Sequence, residues 1–323
     1  MLKIVFFFLT ITSSVYAQIS GCTDPQAENY SLSSKQNNGS CTYKKLKLTP
    51  EYSFRLSDSI KETSGLIAFE NLLWTHNDDH DTTIYGLDTL GKIKRKIILS
   101  ETVNHDWEEI AQDSTHIYIG DFGNNYAGNR TDLRILKIEK KSFLEENPKI
   151  ETISFTYSDQ TDFSPSKPNK TDFDCEAFII SKDSIYLFTK QWKTSKTTIY
   201  ALSKESGSQI AKLKSTLDTK GLVTGATYLE NKKLVVLCGY TKVGKPFFYL
   251  LYDFKNQDFL SGNKRRIDLR LPFHQVEGIA TKDGLHYFIT NESLVRKPIL
   301  NNPQQIHYFD LSSVLNQYIN PQK

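Results

Sequence analysis

Beyond its first residues, no stretch of this 323-residue chain approaches the ~20 consecutive apolar residues that a membrane-spanning helix needs. Charge of one sign is also missing. The formal net charge is only +3, with Lys and Asp/Glu mixed along the chain, so nothing forms the basic stripe of a nucleic-acid binder. Neither a Gly-x-Ser-x-Gly elbow nor the residue order of a serine triad is present. Gly120–Asn125 lacks the helix that a phosphate-cradling loop requires. Helical patterns are scarce, with Ser142–Glu146 and Ser312–Tyr318 offering a turn or two each. Cysteines number four, too few for a disulfide scaffold across the whole chain.

What is present begins with a leader pattern. Met1-Leu2-Lys3, the apolar run Ile4–Ile11 and Thr12–Ala17 read as a signal peptide over residues 1–17. Cleavage after Ala17 places the mature chain in a secreted, periplasmic or cell-surface setting. A competing pattern, Ile19-Ser20-Gly21-Cys22, resembles a lipobox in which Cys22 would be acylated. Cys22 has a better use as a disulfide partner. Residues 18–46 contain almost no aliphatic side chains beyond Ala27 and Leu32, too few to bury a core. A Cys22–Cys41 bridge, permitted in an oxidising compartment, would stabilise that segment by roughly 3 kcal/mol through restriction of the unfolded chain. Cys175 and Cys238 lie inside strand patterns and read as buried free thiols.

Residues 47–323 carry an internal repeat. Five segments share one entry pattern: Glu62–Phe69, Asp106–Gln112, Asp174–Ile180, Leu222–Tyr228 and Gln275–Thr281. Aligned, they put Ser64, Glu108, Glu176, Thr224 and Glu277 at one position, followed by a small residue or, in the second repeat, by Glu109. Second strands follow at Leu72–His76, Ile117–Asp121, Ile185–Lys190, Leu234–Gly239 and His286–Asn291. Third strands follow at Thr83–Asp88, Leu133–Glu139, Thr197–Ser203, Phe247–Phe254 and Gln305–Leu311. Fourth strands are weaker, at Lys94–Leu99, Ile150–Tyr157, Gln209–Leu213 and Lys264–Leu269. The fifth repeat lacks one, and the unassigned strand Glu51–Leu56 supplies it by closing a ring. The expected fold is all-β, a single β-propeller of five four-stranded blades. Six blades is the alternative if the polar stretch Ser158–Lys170 conceals another.

In a propeller the first strand of each blade is innermost, so the shared position lines the central channel. Glu108, Glu176 and Glu277 would meet there, with Glu62, Asp106, Asp174 and Gln275 nearer the mouth. Converging carboxylates repel unless protonated, paired or bound to a cation. An oxygen-rich, sulfur-free set drawn from Glu62, Glu108, Glu176 and Glu277 suits Ca²⁺. Equally, these side chains could accept backbone N–H bonds from a neighbouring blade and serve only to fix geometry. The ends of the second strands face the same mouth and add Asn77, Asp121, Lys190 and Asn291 as ligand-binding candidates. His76 and His80 are four apart, which on a loop says little about a metal.

Two resemblances bear on identity. Gly21-Cys22-Thr23-Asp24-Pro25, Asn29-Tyr30 and Gly39-Ser40-Cys41-Thr42-Tyr43 resemble a segment common in exported proteins of Bacteroidetes. Its relatives usually carry aspartates where this chain has Asn37-Asn38, so a cation-binding role does not carry over. Ser64-Gly65-Leu66, Asp106–Ala111, Tyr118–Asn125 with Arg130, and Glu277-Gly278-Ile279-Ala280 resemble the bacterial propeller family labelled esterase-like phytase or SdiA-regulated-like. That resemblance implies ester or phosphoester hydrolysis, a label many members carry without demonstrated activity. Two functions are therefore expected. One is a monomeric binding propeller for an extracellular ligand or protein, with Ca²⁺ at its acidic mouth. The alternative is a Ca²⁺-dependent hydrolase using Glu108, Glu176 and Glu277.

Overall fold

The computed structural model describes residues 19–321; the expected leader at residues 1–17 lies outside them. Within that range the chain forms five four-stranded antiparallel units. Unit 1 comprises Thr63–Phe69, Leu72–Asn77, Thr83–Leu87 and Ile93–Ile98. Unit 2 comprises Trp107–Gln112, His116–Asp121, Arg134–Glu139 and Ile150–Tyr157. Unit 3 comprises Cys175–Ile180, Ser184–Thr189, Thr197–Ser203 and Gly207–Leu217. Unit 4 comprises Leu222–Leu229, Leu234–Tyr240, Pro246–Tyr252 and Asn263–Leu269. In unit 5, Val276–Thr281, His286–Asn291 and Gln305–Asp310 are completed by Tyr52–Arg55, which pairs with Gln305–Tyr308.

Each unit's first strand touches the first strand of the next, and that of unit 5 touches that of unit 1. A closed cycle of inner strands with sheets radiating outward is a β-propeller. The strand chemistry follows from that geometry. Cys175–Ile180 and Leu234–Tyr240 are buried along their whole length because neighbours cover both faces. The outer strand Asn263–Leu269 instead buries every second residue most deeply, the period of a strand with one sheltered face. Apolar side chains fill the wedges between units. Ile179, Phe188, Val223, Leu237 and Phe259 do so between units 3 and 4, each contributing roughly 1.5–3 kcal/mol on leaving water.

One feature keeps to the preferred expectation and two depart from it. Residues 158–174 contain no strand, so the polar stretch Ser158–Lys170 is a loop. It is tied down by Ser166 N–H to Ala127 O and Asn169 N–H to Asn125 O. The outer strands of units 2 and 3 pair in parallel, Ile153–Tyr157 with Gly207–Ala211, fusing the two units into one eight-stranded sheet. The fourth strand of unit 3 outruns the expected Gln209–Leu213 at both ends: Gly207 and Ser208 take part in this parallel pairing, and Ser215–Leu217 pair with Thr197–Ile199 of their own unit. Finally, Leu46–Leu48 forms a fifth, parallel strand on unit 4, so the expected boundary at 46/47 falls inside an element.

The N-terminal segment is joined by the Cys22–Cys41 disulfide, while Cys175 and Cys238 are buried and free. It docks on unit 4. The Asp24 carboxylate accepts from Tyr43 (2.8 Å) and Tyr252 (2.6 Å), and Asn37 donates to Asp253 (2.7 Å) and Asn263 (2.9 Å). Two short α-helices, Lys140–Leu144 and Ser312–Ile319, lie outside the sheets.

Candidate ligand site at the channel mouth

The position shared by the five repeats has a physical identity: in four units it is a β-bulge. Trp107 pairs with Asp121 and Glu109 with Gly120, leaving Glu108 without an opposite number. Glu176, Thr224 and Glu277 are skipped in the same way. In unit 1 a wider irregularity follows Ser64. A bulge bends the strand and re-aims the extra residue, here towards the channel. All five residues are buried. The two hydroxyls join units, with Ser64 donating to Glu108 O and Thr224 to Val276 O. The three glutamates make no such link.

On the side of units 2 and 3, oxygens of Glu108, Asp174 and Glu176 lie within 4.8 Å of one another. Lys190, buried at the end of its strand, forms a short ion pair with Glu176. Its ammonium lies 4.8 Å from the Trp192 ring centroid and 5.3 Å from that of Tyr240. Burial works against the lysine's charge, but Glu176 and the acids around it outweigh that and hold its pKa well above the usual range. Asp174 accepts from Asn124 N–H and Trp192 Nε1, both at 2.7 Å. Burial pushes Glu108 well up, with Glu176 and Asp106 adding to it. Asp106 rises to about 6 through burial and the Asp174 charge, opposed by Arg130. Gly123 lies so close to Asp106 and Glu108 that a Cβ there would overlap both carboxylates.

The side of units 5 and 1 is different. Glu277 is 2 % exposed, and neither carboxylate oxygen accepts a hydrogen bond of good geometry among the described residues, although the Thr224 hydroxyl and the Glu292 carboxyl lie close enough to act on it. Burial raises its pKa well above normal, with Lys190 opposing and Glu292 and Asp78 adding. Asp78 rises to about 8 through burial and the charges of Glu292, Glu62 and Asp106, and its Oδ1 is likewise unpartnered. Glu292 rises to about 7 through burial, against the pull of Lys190. Glu62, Asp78 and Asp79 form a second group with oxygens within 4.8 Å of one another.

The expected set Glu62, Glu108, Glu176 and Glu277 is thus divided. Glu108 and Glu176 share one cluster, Glu62 belongs to another, and Glu277 to neither. Asp174, Asp78 and Asp79 complete the two groups, and Glu292 acts on Asp78 and Glu277 through its charge. Three ligand-binding candidates are already engaged. Asp121 is clamped by Arg130 (3.0 Å) and Arg134 (2.8 Å). Asn77 bonds to Ser59 O and Asp81, both at 2.9 Å. Asn291 bonds to Glu292 O, Pro303 O and His307. His76 is buried and its pKa falls to about 4 for that reason, whereas His80 is exposed on its loop. Neither joins a group of potential metal ligands among the described residues.

One residue deeper, the channel is closed. Gly65, Ala177, Gly225 and Gly278 are small, and the fifth member of that ring is Glu109. Its Oε1 accepts from Ile110 N–H (3.0 Å) and Leu66 N–H (3.3 Å), and its Oε2 from Ala226 N–H (2.8 Å). Units 2 and 4 are not neighbours in the cycle, so the carboxylate spans the channel. The backbone-bonding role expected for the aligned glutamates belongs to this residue instead. Gly65, at φ +66°, approaches so closely that a Cβ would meet Glu109 Oε1 at 2.7 Å. Beyond the waist the lining is mixed, with Ala68, Ile110, Phe178 and Ala280 beside Gln112, Thr227 and Thr281.

No family model and no curated protein matches the chain. Among solved structures, a streptogramin B lyase is similar at 14 % identity and TM-score 0.39, over 80 % of this chain and 72 % of that one. A chain of a mitotic checkpoint complex is similar at 10 % identity and TM-score 0.39, over 81 % and 95 % respectively. The propeller assignment rests on the strand cycle itself.

Proposed function

We propose that this chain is an exported, five-bladed propeller that binds a ligand at its acidic channel mouth, with Ca²⁺ held on the side of units 5 and 1. The observation that carries the reading is Glu277, a buried carboxylate neither of whose oxygens accepts a hydrogen bond of good geometry among the described residues. An ionised carboxylate left so costs several kcal/mol, and a bound cation removes that penalty. Asp78, Glu292 and Glu62 supply further oxygens nearby, with no sulfur donor among them. Ca²⁺ takes six to eight oxygens at about 2.3–2.6 Å; Glu62, Asp78 and Asp79, whose carboxylate oxygens lie within 4.8 Å of one another, would be its ligands, with Glu277 and Glu292 beside that group acting on Asp78 through their charge. Binding is favoured over hydrolysis because Lys190 already occupies Glu176, one of the carboxylates that a metal-bound water would need.

Thermal melting with Ca²⁺ and with chelator tests this. Binding to the native state must raise the midpoint, by about 2.7 kcal/mol of stability at a hundredfold excess over Kd. Glu277→Gln should abolish the Ca²⁺ response and raise the midpoint in chelator. A wild-type midpoint indifferent to Ca²⁺ would reject the cation.

A further inference from the structure

The geometry points to a second binding site, beside the channel mouth between units 4 and 5, for a ligand with an apolar body and an anionic head. It goes beyond the cation reading and does not rest on it. The site is a pocket of about 390 Å³, within the size range of small-molecule sites. Its apolar lining is Tyr240, Val243, Phe273, Leu294 and Leu300.

Backbone geometry holds the principal ring in place. Phe273 is in the left-handed region at φ +62° yet remains 53 % exposed. That conformation is costly for a bulky residue and persists only where the surroundings enforce it. Here the Phe273 N–H donates to Gly244 O (2.7 Å) and its carbonyl accepts from Asn302 Nδ2 (2.9 Å). Strain spent on keeping an aromatic ring out of the core points to a surface made for contact. The opposite wall is a hairpin inserted between the second and third strands of unit 5, Leu294–Arg296 paired with Leu300–Asn302. Its register sets Arg296 opposite Leu300.

Charge selects the head group. Lys242 and Arg296 line the pocket, and no carboxylate does. Arg296 forms no ion pair among the described residues, and Lys242 reaches only Lys193 O at 3.4 Å. Glu292, close in sequence, belongs electrostatically to the channel, where Lys190 and Glu62 act on it. A guanidinium fork matches carboxylate or phosphate oxygens, while the ligand's hydrocarbon lies on Phe273 and the two leucines. A fatty carboxylate and an alkyl phosphate share this chemistry.

Isothermal titration of the full chain, with chelator present throughout, separates this site from the cation site. Dodecanoate, dodecyl phosphate and dodecyltrimethylammonium, each below its micelle concentration, are the probes. Both anions should bind, at least tenfold more tightly than the ammonium. A preference for dodecanoate would indicate a fatty acid, and for dodecyl phosphate a phosphoester head group. Arg296→Gln, on an exposed side chain, should weaken the anions about tenfold without moving the melting midpoint. Phe273→Gly, which suits the left-handed backbone, should weaken binding at least as much with the fold intact. Equal affinity for all three probes, no binding by either anion, or wild-type affinity in both variants would overturn the proposal.

Discussion

On one side of the channel mouth Asp106, Glu108, Asp174 and Glu176 share their space with a lysine; on the other, Glu277, Glu292, Asp78 and Glu62 have none in contact. Lys190 is ion-paired to Glu176, with aromatic rings on two sides, whereas it reaches Glu277 only through its field. One half of the acidic ring thus carries its counter-charge covalently. The other must protonate or take a cation from solution. The contrast shows that a ring of similar carboxylates need not be one site.

The most severe way to break the asymmetry is Lys190→Met. Removing one partner of a buried ion pair costs about 3–5 kcal/mol, and denaturant unfolding should show a loss of that order. Ca²⁺ should then raise the midpoint of this variant more than that of the wild type, because Glu108, Asp174 and Glu176 become a second vacant cluster. Wild-type stability would mean that the ion pair is not the organising contact. Glu109→Gln comes next. Its amide N–H₂ would face a backbone donor at one end of the waist, and an unsatisfied buried group costs about 1–3 kcal/mol, measurable by the same unfolding curves.

The smallest effect is on pH dependence. Asp78, Glu292 and Asp106, at about 8, 7 and 6, all lie above their ordinary values. The folded state therefore holds protons that the unfolded chain has released. The stability these groups contribute is fully present below about pH 4 and is lost as pH rises through 6 to 8. In chelator the melting midpoint should fall by a few degrees between pH 5.5 and 8.5, net of other groups. Ca²⁺ should flatten that decline, and Glu277→Gln should weaken the flattening. A slope unaffected by Ca²⁺ would detach the raised pKa values from any cation site.

Much of this was legible in the sequence because bulges repeat. A bulge occupies a fixed offset from the strand start, so aligning the entries brought Glu108, Glu176, Thr224 and Glu277 together without any knowledge of pairing. The closing strand was found by counting, since one unit lacked a fourth strand and Glu51–Leu56 had no other place. Partnership was harder to read. Asp121 faces the mouth but is consumed by Arg130 and Arg134, and Asn291 by His307, contacts set by strand register. Glu109 did carry a signal: it was the one large residue where the other repeats have small ones. Its meaning needed the ring diameter, because only across a narrow channel can one carboxylate reach amides of two other units. Lys190 is legible in the sequence as a mouth candidate, but its pairing with Glu176 on one side alone depends on which unit's second strand ends there.

The closing strand has a consequence in time. Leu56 meets Gln304 across 248 residues of chain, so during synthesis the early strand must wait for nearly everything after it to emerge. Contacts this remote are slow to form, since loop-closure entropy is lost before the contact returns anything. Until then unit 5 has no outer strand and the nascent ring stands open, with an edge ready to pair with another chain. Closing the ring therefore depends on a strand made early and a partner made late.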